Sequence, residues 1–170
     1  MYDRQYVLAI VKLMRSNFRD WLRNLHEDEG FKSNDSRDPG KRTVYGISEV
    51  YHPEMFKDGK EPTLADLPEF YLLNYWIPGG CDSLPFPLDV NHADACVNPG
   101  IGAATRFLHD SAEHSDVLWR TTEYVMLRER YYLKKIRETP AKLAFISGWM
   151  DRCLDYWETT VGTMTSLAGK

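Results

Sequence analysis

Apolar side chains recur at steps of three and four near the start of the chain, at Tyr6, Ile10, Met14, Phe18, Trp21 and Leu25, while Arg15, Arg19 and Arg23 fall on another face. That spacing predicts an amphipathic helix from about Asp3 to Leu25. Glu27, Asp28 and Glu29 follow it, and Gly30 is the expected stop, since glycine accepts the left-handed backbone with which helices end. The pattern then changes. Asn34-Asp35-Ser36 and Asp38-Pro39-Gly40 are turn formers, Thr43-Val44-Tyr45 is β-prone, and Gly46 marks the strand end, so a small hairpin or irregular ribbon is expected. Ile47 to Tyr51 reads as a short helix capped by Ser48 and stopped by Pro53.

Helical spacing dominates the remainder. Thr63 with Asp66 three residues on predicts a capped helix start, and Pro68 a kink or fresh start. Pro78-Gly79-Gly80 breaks the chain. A helix near Leu88 runs through Ala93 and Val97, and Asn98-Pro99-Gly100 opens the next, with Asn98 as cap and Pro99 in its first turn. Two long helices follow, from about Asp116 to Arg137 and from Pro140 to about Thr159. In the second, Phe145, Trp149, Cys153 and Tyr156 share a face with Ile146, Met150, Leu154 and Trp157 beside it. An apolar arc that wide predicts a central helix. Val161 to Lys170 reads as a loose tail.

At 170 residues and 43% hydrophobic content, the chain supports one compact domain, residues 1–170. Within it, residues of about 1–80 form the half that holds the candidate chemistry and about 85–160 the C-terminal helical half. A net charge of −4 argues against a partner held through phosphates, so no nucleic acid is expected. Cys81, Cys96 and Cys153 form neither a CxxC pair nor an even framework, which predicts buried free thiols. His92 and Cys96 lie four apart on an expected helix with no further ligand in evidence, and His109 and His114 have the wrong spacing for one helical face, so no metal or other cofactor is expected. The apolar run Tyr6 to Ile10 is too short to span a membrane and lacks a cleavage site. Synthesis in the cytoplasm, without stable membrane insertion, is the expectation.

The candidate chemistry lies in the stretch His26 to Ser48, an acidic, glycine-bearing loop held between helical segments. Glu29 and Asp38 are nine residues apart and Thr43 follows five later. By residue type alone Glu29 reads more readily as a solvated acid at a helix end than as a general acid, for which the negative end of the helix dipole would favour the neutral form. Asp38 reads equally as a turn former.

The order Glu29-Gly30, Asn34-Asp35, Asp38-Pro39-Gly40 and Thr43-Val44-Tyr45-Gly46-Ile47-Ser48 resembles the start of glycoside hydrolase family 108, the peptidoglycan-cleaving N-acetylmuramidases. Val97-Asn98-Pro99-Gly100 resembles the family's Val-Asn-x-Gly, and Phe145 to Arg152 its Phe-x-x-Gly-Trp-x-x-Arg. Phe31 and Lys41 replace glycines of the family pattern. The resemblance implies a mainly α, single lysozyme-like domain with a small β-hairpin at the active site. It also implies Glu29 as general acid, Asp38 and Thr43 as the other catalytic residues, and no cofactor.

The implied partner is the peptidoglycan glycan strand, cut at the bond from N-acetylmuramic acid to N-acetylglucosamine. Tyr45, Trp76 and Asn98 are candidate sugar contacts, and Lys41 or Arg42 a candidate partner for the anionic wall. Whether water attacks opposite the acid or Asp38 attacks directly stays open, since that depends on carboxyl separation. Arg152 and Trp149 read as scaffold, with Gly148 permitting close helix approach. The implied setting is a phage endolysin, released through a holin-type pore to reach the cell wall. The rival reading is a non-catalytic peptidoglycan-binding or secretion-accessory protein with the same fold.

Overall fold

The computed structural model describes residues 16–29, 32–34 and 42–168, and the chain divides into two compact units at Asn74–Tyr75. In the first unit, helix α1 (Ser16–Glu29) buries Phe18, Trp21 and Leu25 to within 1% of full enclosure and leaves Arg19 and Arg23 in solvent. The predicted face is therefore realised, and its earlier members Tyr6, Ile10 and Met14 lie outside the described residues. After α1 comes a three-stranded antiparallel sheet in chain order: β1 (Lys32–Asn34), β2 (Arg42–Val44) and β3 (Ile47–Ser48). Register is set by Ser33 opposite Thr43 and by Val44 opposite Ile47.

Ile47–Ser48 is thus a strand, which corrects the expected helix there. The two-residue connection Tyr45-Gly46 returns the chain directly onto β2, and five residues of weak helix preference cannot outweigh pairing that buries both Val44 and Ile47. Pro53 opens a 3-10 helix (Pro53–Gly59) and stops nothing. Helix α2 (Leu67–Tyr71) starts afresh across Pro68. Before it stands the return half of the expected capping box, the Asp66 carboxylate accepting from the Thr63 amide at 2.9 Å and from its hydroxyl at 2.5 Å. Trp21 meets Tyr71 edge-on, 6.0 Å between centroids, which seals α1 to α2.

The second unit is built round α3 (Leu88–Ala95), all eight of whose residues are buried, including Asp89, Asn91, His92 and Asp94. Helix α3 is continued by a π-helical segment (Cys96–Gly100), in place of the expected cap at Asn98. Gly100, at φ 90°, makes the break before α4 (Ile101–Asp110). Helix α5 (Val117–Glu138) starts as expected at Asp116, whose carboxylate accepts from the amides of Leu118 and Trp119. After a 3-10 stretch (Pro140–Phe145), α6 runs from Ile146 to Ala168.

Two expectations about α6 fail. It continues through Val161 to Ala168, where a loose tail was expected, and Thr160 and Thr165 turn their hydroxyls back onto carbonyls of the preceding turn. Nor is it central. Cys153 and Tyr156 are buried, but Leu154 is 49% and Trp157 39% exposed, so one face packs and the rest of the apolar arc meets solvent. The central position belongs to α3. Among the described residues no helix is long and apolar enough to cross a membrane.

Two glycines give opposite predictions. A Cβ on Gly79 would stand 2.7 Å from the Tyr75 carbonyl oxygen and 2.8 Å from Cys96 Sγ, whereas one on Gly148 meets nothing within 4 Å. Gly148 therefore does not serve close helix approach, contrary to expectation. Urea denaturation should show Gly79→Ala losing about 1–3 kcal/mol through overpacking, and Gly148→Ala gaining about 0.5–1 kcal/mol of helix propensity.

Candidate functional site

The residues singled out in the sequence fall in both units. In the first, Glu29 is the last residue of α1, and β1 begins three residues later. The register then lays Thr43 directly across from Ser33, so a hydroxyl-bearing strand is folded back beside the segment that leaves the helix end. Asp38 lies outside the described residues, as does Lys41. Arg42 is not a free cation for a wall polymer. It makes an ion pair with Glu61 and a longer one with Glu49 at 3.6 Å, and its guanidinium lies 5.4 Å above the Phe56 ring.

Tyr45 holds a left-handed backbone, φ 51°, followed by Gly46 at φ 77°. Positive φ at both positions of a two-residue loop is the turn that matches the right-handed twist of a hairpin. Glycine accepts it freely, but a tyrosine costs about 1–2 kcal/mol there. The Tyr71 hydroxyl donates to the Tyr45 carbonyl at 3.1 Å and fixes the turn to α2. A strained aromatic at the tip of the hairpin, half-buried and braced from behind, is placed as a binding residue often is.

In the second unit the two candidate sugar contacts have other partners. Trp76 is fully enclosed and its indole N–H donates to Asp82 at 2.9 Å. With no exposed ring face it has nothing to stack on a sugar, so its role is packing. Asn98 is exposed, but its Oδ1 accepts from the Tyr132 hydroxyl at 2.6 Å.

That hydroxyl leads into a buried ionic network that the sequence did not reveal. Arg128 Nε donates to it at 3.0 Å, and the Arg128 guanidinium pairs with Asp94 at 2.6 Å. Arg152 Nε donates to the other Asp94 oxygen at 2.8 Å. Burial pushes the Asp94 carboxyl up, and the two guanidiniums, Arg152 foremost, more than reverse this and hold it below its ordinary range. Burial likewise opposes the charge on Arg128, and Asp94 restores it. Trp149 stacks on Tyr132 with centroids 4.8 Å apart. The scaffold role read for Arg152 and Trp149 thus has a physical content: they lock α6 to α3 and α5. The signal in the sequence was a run of polar residues, Asp89, Asn91, His92 and Asp94, inside a helix otherwise made of small and apolar ones.

A second buried polar cluster joins Cys81, His92 and Cys96, whose donor atoms all lie within 4.8 Å of one another. The hydrogen bond with Cys81 is the main influence that draws the Cys96 thiol down to about 6 against the opposing effect of burial, with help from His92, and the same bond pushes Cys81 up. Cys153 is separate, buried against Val125 and Tyr132. All three thiols are free, as expected.

The sequence profile described as Glycosyl hydrolase 108 matches residues 22–100, a span that contains Glu29, Asp38, Thr43, Tyr45, Trp76 and Asn98. The match covers a little under half of the chain, and over that segment the sequence is similar to the family. A solved structure of Brucella abortus SagA superposes with a TM-score of 0.68 over 85% of this chain and 94% of that one, at 18% identity. The two chains share a fold, the mainly α-helical, lysozyme-like arrangement expected. No curated protein matches. The glycosyl hydrolase 108 segment runs from within α1, through the sheet and α2, to the end of the π-helical segment. The buried Asp94 is inside it, and the partners Arg128 and Arg152 are beyond it.

Proposed function

We propose that the protein is a peptidoglycan hydrolase of the N-acetylmuramidase type. It cleaves the β-1,4 bond from N-acetylmuramic acid to N-acetylglucosamine, with Glu29 as general acid and Asp38 and Thr43 completing the catalytic group. The observation that carries this reading is the register of β1 on β2, which returns Thr43 to the segment leaving the C-terminus of α1, where Glu29 stands, inside a segment of glycosyl hydrolase 108 sequence. A glycosidic oxygen leaves poorly as an alkoxide, so a proton must reach it as the ring becomes oxocarbenium-like. Glu29 supplies that proton. Asp38 then holds water or the sugar's positive charge, and Thr43 orients the water through its hydroxyl. Tyr45 offers a ring face to a pyranose at the hairpin tip. The biological role that fits is an endolysin of bacteriophage type, made in the cytoplasm and acting on the wall after release.

Mass spectrometry of sugars released from purified sacculi tests this directly. Muropeptides ending in reducing N-acetylmuramic acid are expected. Anhydro-muramic ends would mean that water is not the acceptor, and binding to sacculi without release of any reducing end would leave a peptidoglycan-binding protein in place of an enzyme.

A further inference from the structure

The cluster at Cys81, His92 and Cys96 lies in a part of the second unit that the proposed chemistry does not use. Three separate features of the fold bring it together. His92 and Cys96 are one helical turn apart, at the end of α3 and the start of the π-helical segment, so both project from one face. The reversal at Pro78-Gly79-Gly80, with Gly80 at φ 69°, then delivers Cys81 to that face. Gly79 lets the backbone come in against both sulfurs, since a side chain there would stand 2.8 Å from Cys96 Sγ and 3.2 Å from Cys81 Sγ.

We propose that Cys81, His92 and Cys96 form a buried structural site for a thiophilic divalent cation, with zinc as its representative. Two thiolates and an imidazole are the donor set that such an ion selects. Zinc–sulfur bonds of about 2.3 Å and zinc–nitrogen bonds of about 2.0–2.1 Å require donors about 3.4–3.8 Å apart, and the donors here, all within 4.8 Å of one another, reach that by small side-chain shifts. The outer contact is also present. His92 Nδ1 is 2.9 Å from the Tyr124 hydroxyl, the kind of bond that fixes a ligating histidine's tautomer, which leaves Nε2 as the ligand nitrogen. Nε2 now faces the Gly79 carbonyl oxygen at 3.0 Å, and that oxygen is the nearest candidate for a fourth ligand.

The charges balance. As each sulfur–metal bond forms, the thiol gives its proton to solvent, so one divalent ion and two thiolates make a neutral centre, which suits an interior where an unpaired thiolate is costly. The site would staple the reversal before Cys81 to the central helix.

The test uses the full-length reduced protein and zinc alone. Titration against a chromophoric chelator should show one equivalent bound per chain, with Cys153→Ser unchanged and Cys81→Ser and Cys96→Ser weakened at least about 100-fold. Should those variants fail to fold, cobalt substitution of the wild type gives an independent reading: tetrahedral bands with sulfur-to-cobalt charge transfer, and X-ray absorption reporting two sulfurs and one nitrogen. No saturable uptake by the reduced protein overturns the proposal. So does uptake that depends on Cys153 or lacks sulfur ligation. A Cys81–Cys96 disulfide in air-exposed protein, together with no zinc binding after reduction, would overturn it in favour of a redox pair.

Discussion

Glu29→Gln should lower the rate of reducing-end release from sacculi by about 10²–10⁴, the range that a positioned general acid contributes. At about 1.36 kcal/mol per decade this is about 2.7–5.5 kcal/mol of barrier. Glutamine keeps the size and hydrogen-bonding outline of the residue but has no proton to give, so sacculus binding and thermal stability should stay near those of the wild type. Glu27→Gln and Asp28→Asn are the controls, because each removes one of the neighbouring carboxylates without touching the proposed acid, and both should stay within a few-fold of wild type. The pH profile adds a second reading. A general acid works only while protonated, so kcat should fall on the alkaline side with a limb that is absent from the residual activity of Glu29→Gln. Unchanged turnover in Glu29→Gln, or an equal loss in Glu27→Gln, would remove Glu29 from the mechanism.

The sequence was informative where one element settles its own structure. The face Phe18, Trp21 and Leu25 is fixed by helical period alone and is buried in the structure. Gly46 could be read as a strand end because positive φ is a local requirement, and Asp116 as a helix start because the cap bonds only its own first turn. The misreadings came where pairing or packing decides. Ile47–Ser48 became a strand because β2 was there to receive it. Trp76 stood between a core residue and a sugar contact because an aromatic side chain alone does not tell whether its ring meets solvent or core, and it is core. Cys81 carries no such local signal, since His92 and Cys96 are 11 and 15 residues further on and it takes the Gly79-Gly80 reversal to set it beside them on α3 and the π-helical segment. Asp94 was missed for the same reason, its partners being 34 and 58 residues further on. The candidate site shows both kinds. The hairpin carrying Thr43 and Tyr45 was legible, as local turn chemistry usually is, while the ionic network in the second unit was not.

Removing the Asp94 carboxylate should have the largest effect on stability of any single substitution in the second unit. Asp94→Ala leaves Arg128, 1% exposed, and Arg152, 11% exposed, facing each other without their anion. Breaking a buried ion pair from one side costs about 3–5 kcal/mol, a large share of the roughly 5–15 kcal/mol that holds a domain folded. Arg128→Met is the milder change, because Asp94 keeps Arg152 at 2.8 Å, and the methionine fills most of the volume. The double variant Asp94→Ala, Arg128→Met should lose less than the two single losses combined, since one uncompensated charge has been taken away with its partner. Chemical denaturation of the four proteins gives the coupling directly, and additive losses would mean that the pair contributes no more than packing. Stability should also depend on acid in a particular direction. The folded Asp94 binds its proton more weakly than the unfolded residue does, so its contribution is complete above the ordinary carboxylate range, near pH 4. It is then lost progressively as the pH falls through the lower, folded value. The acid limb of a stability curve should therefore be shallower in Asp94→Ala than in wild type, and identical limbs would show that the unfolding below pH 4 is driven by other carboxylates.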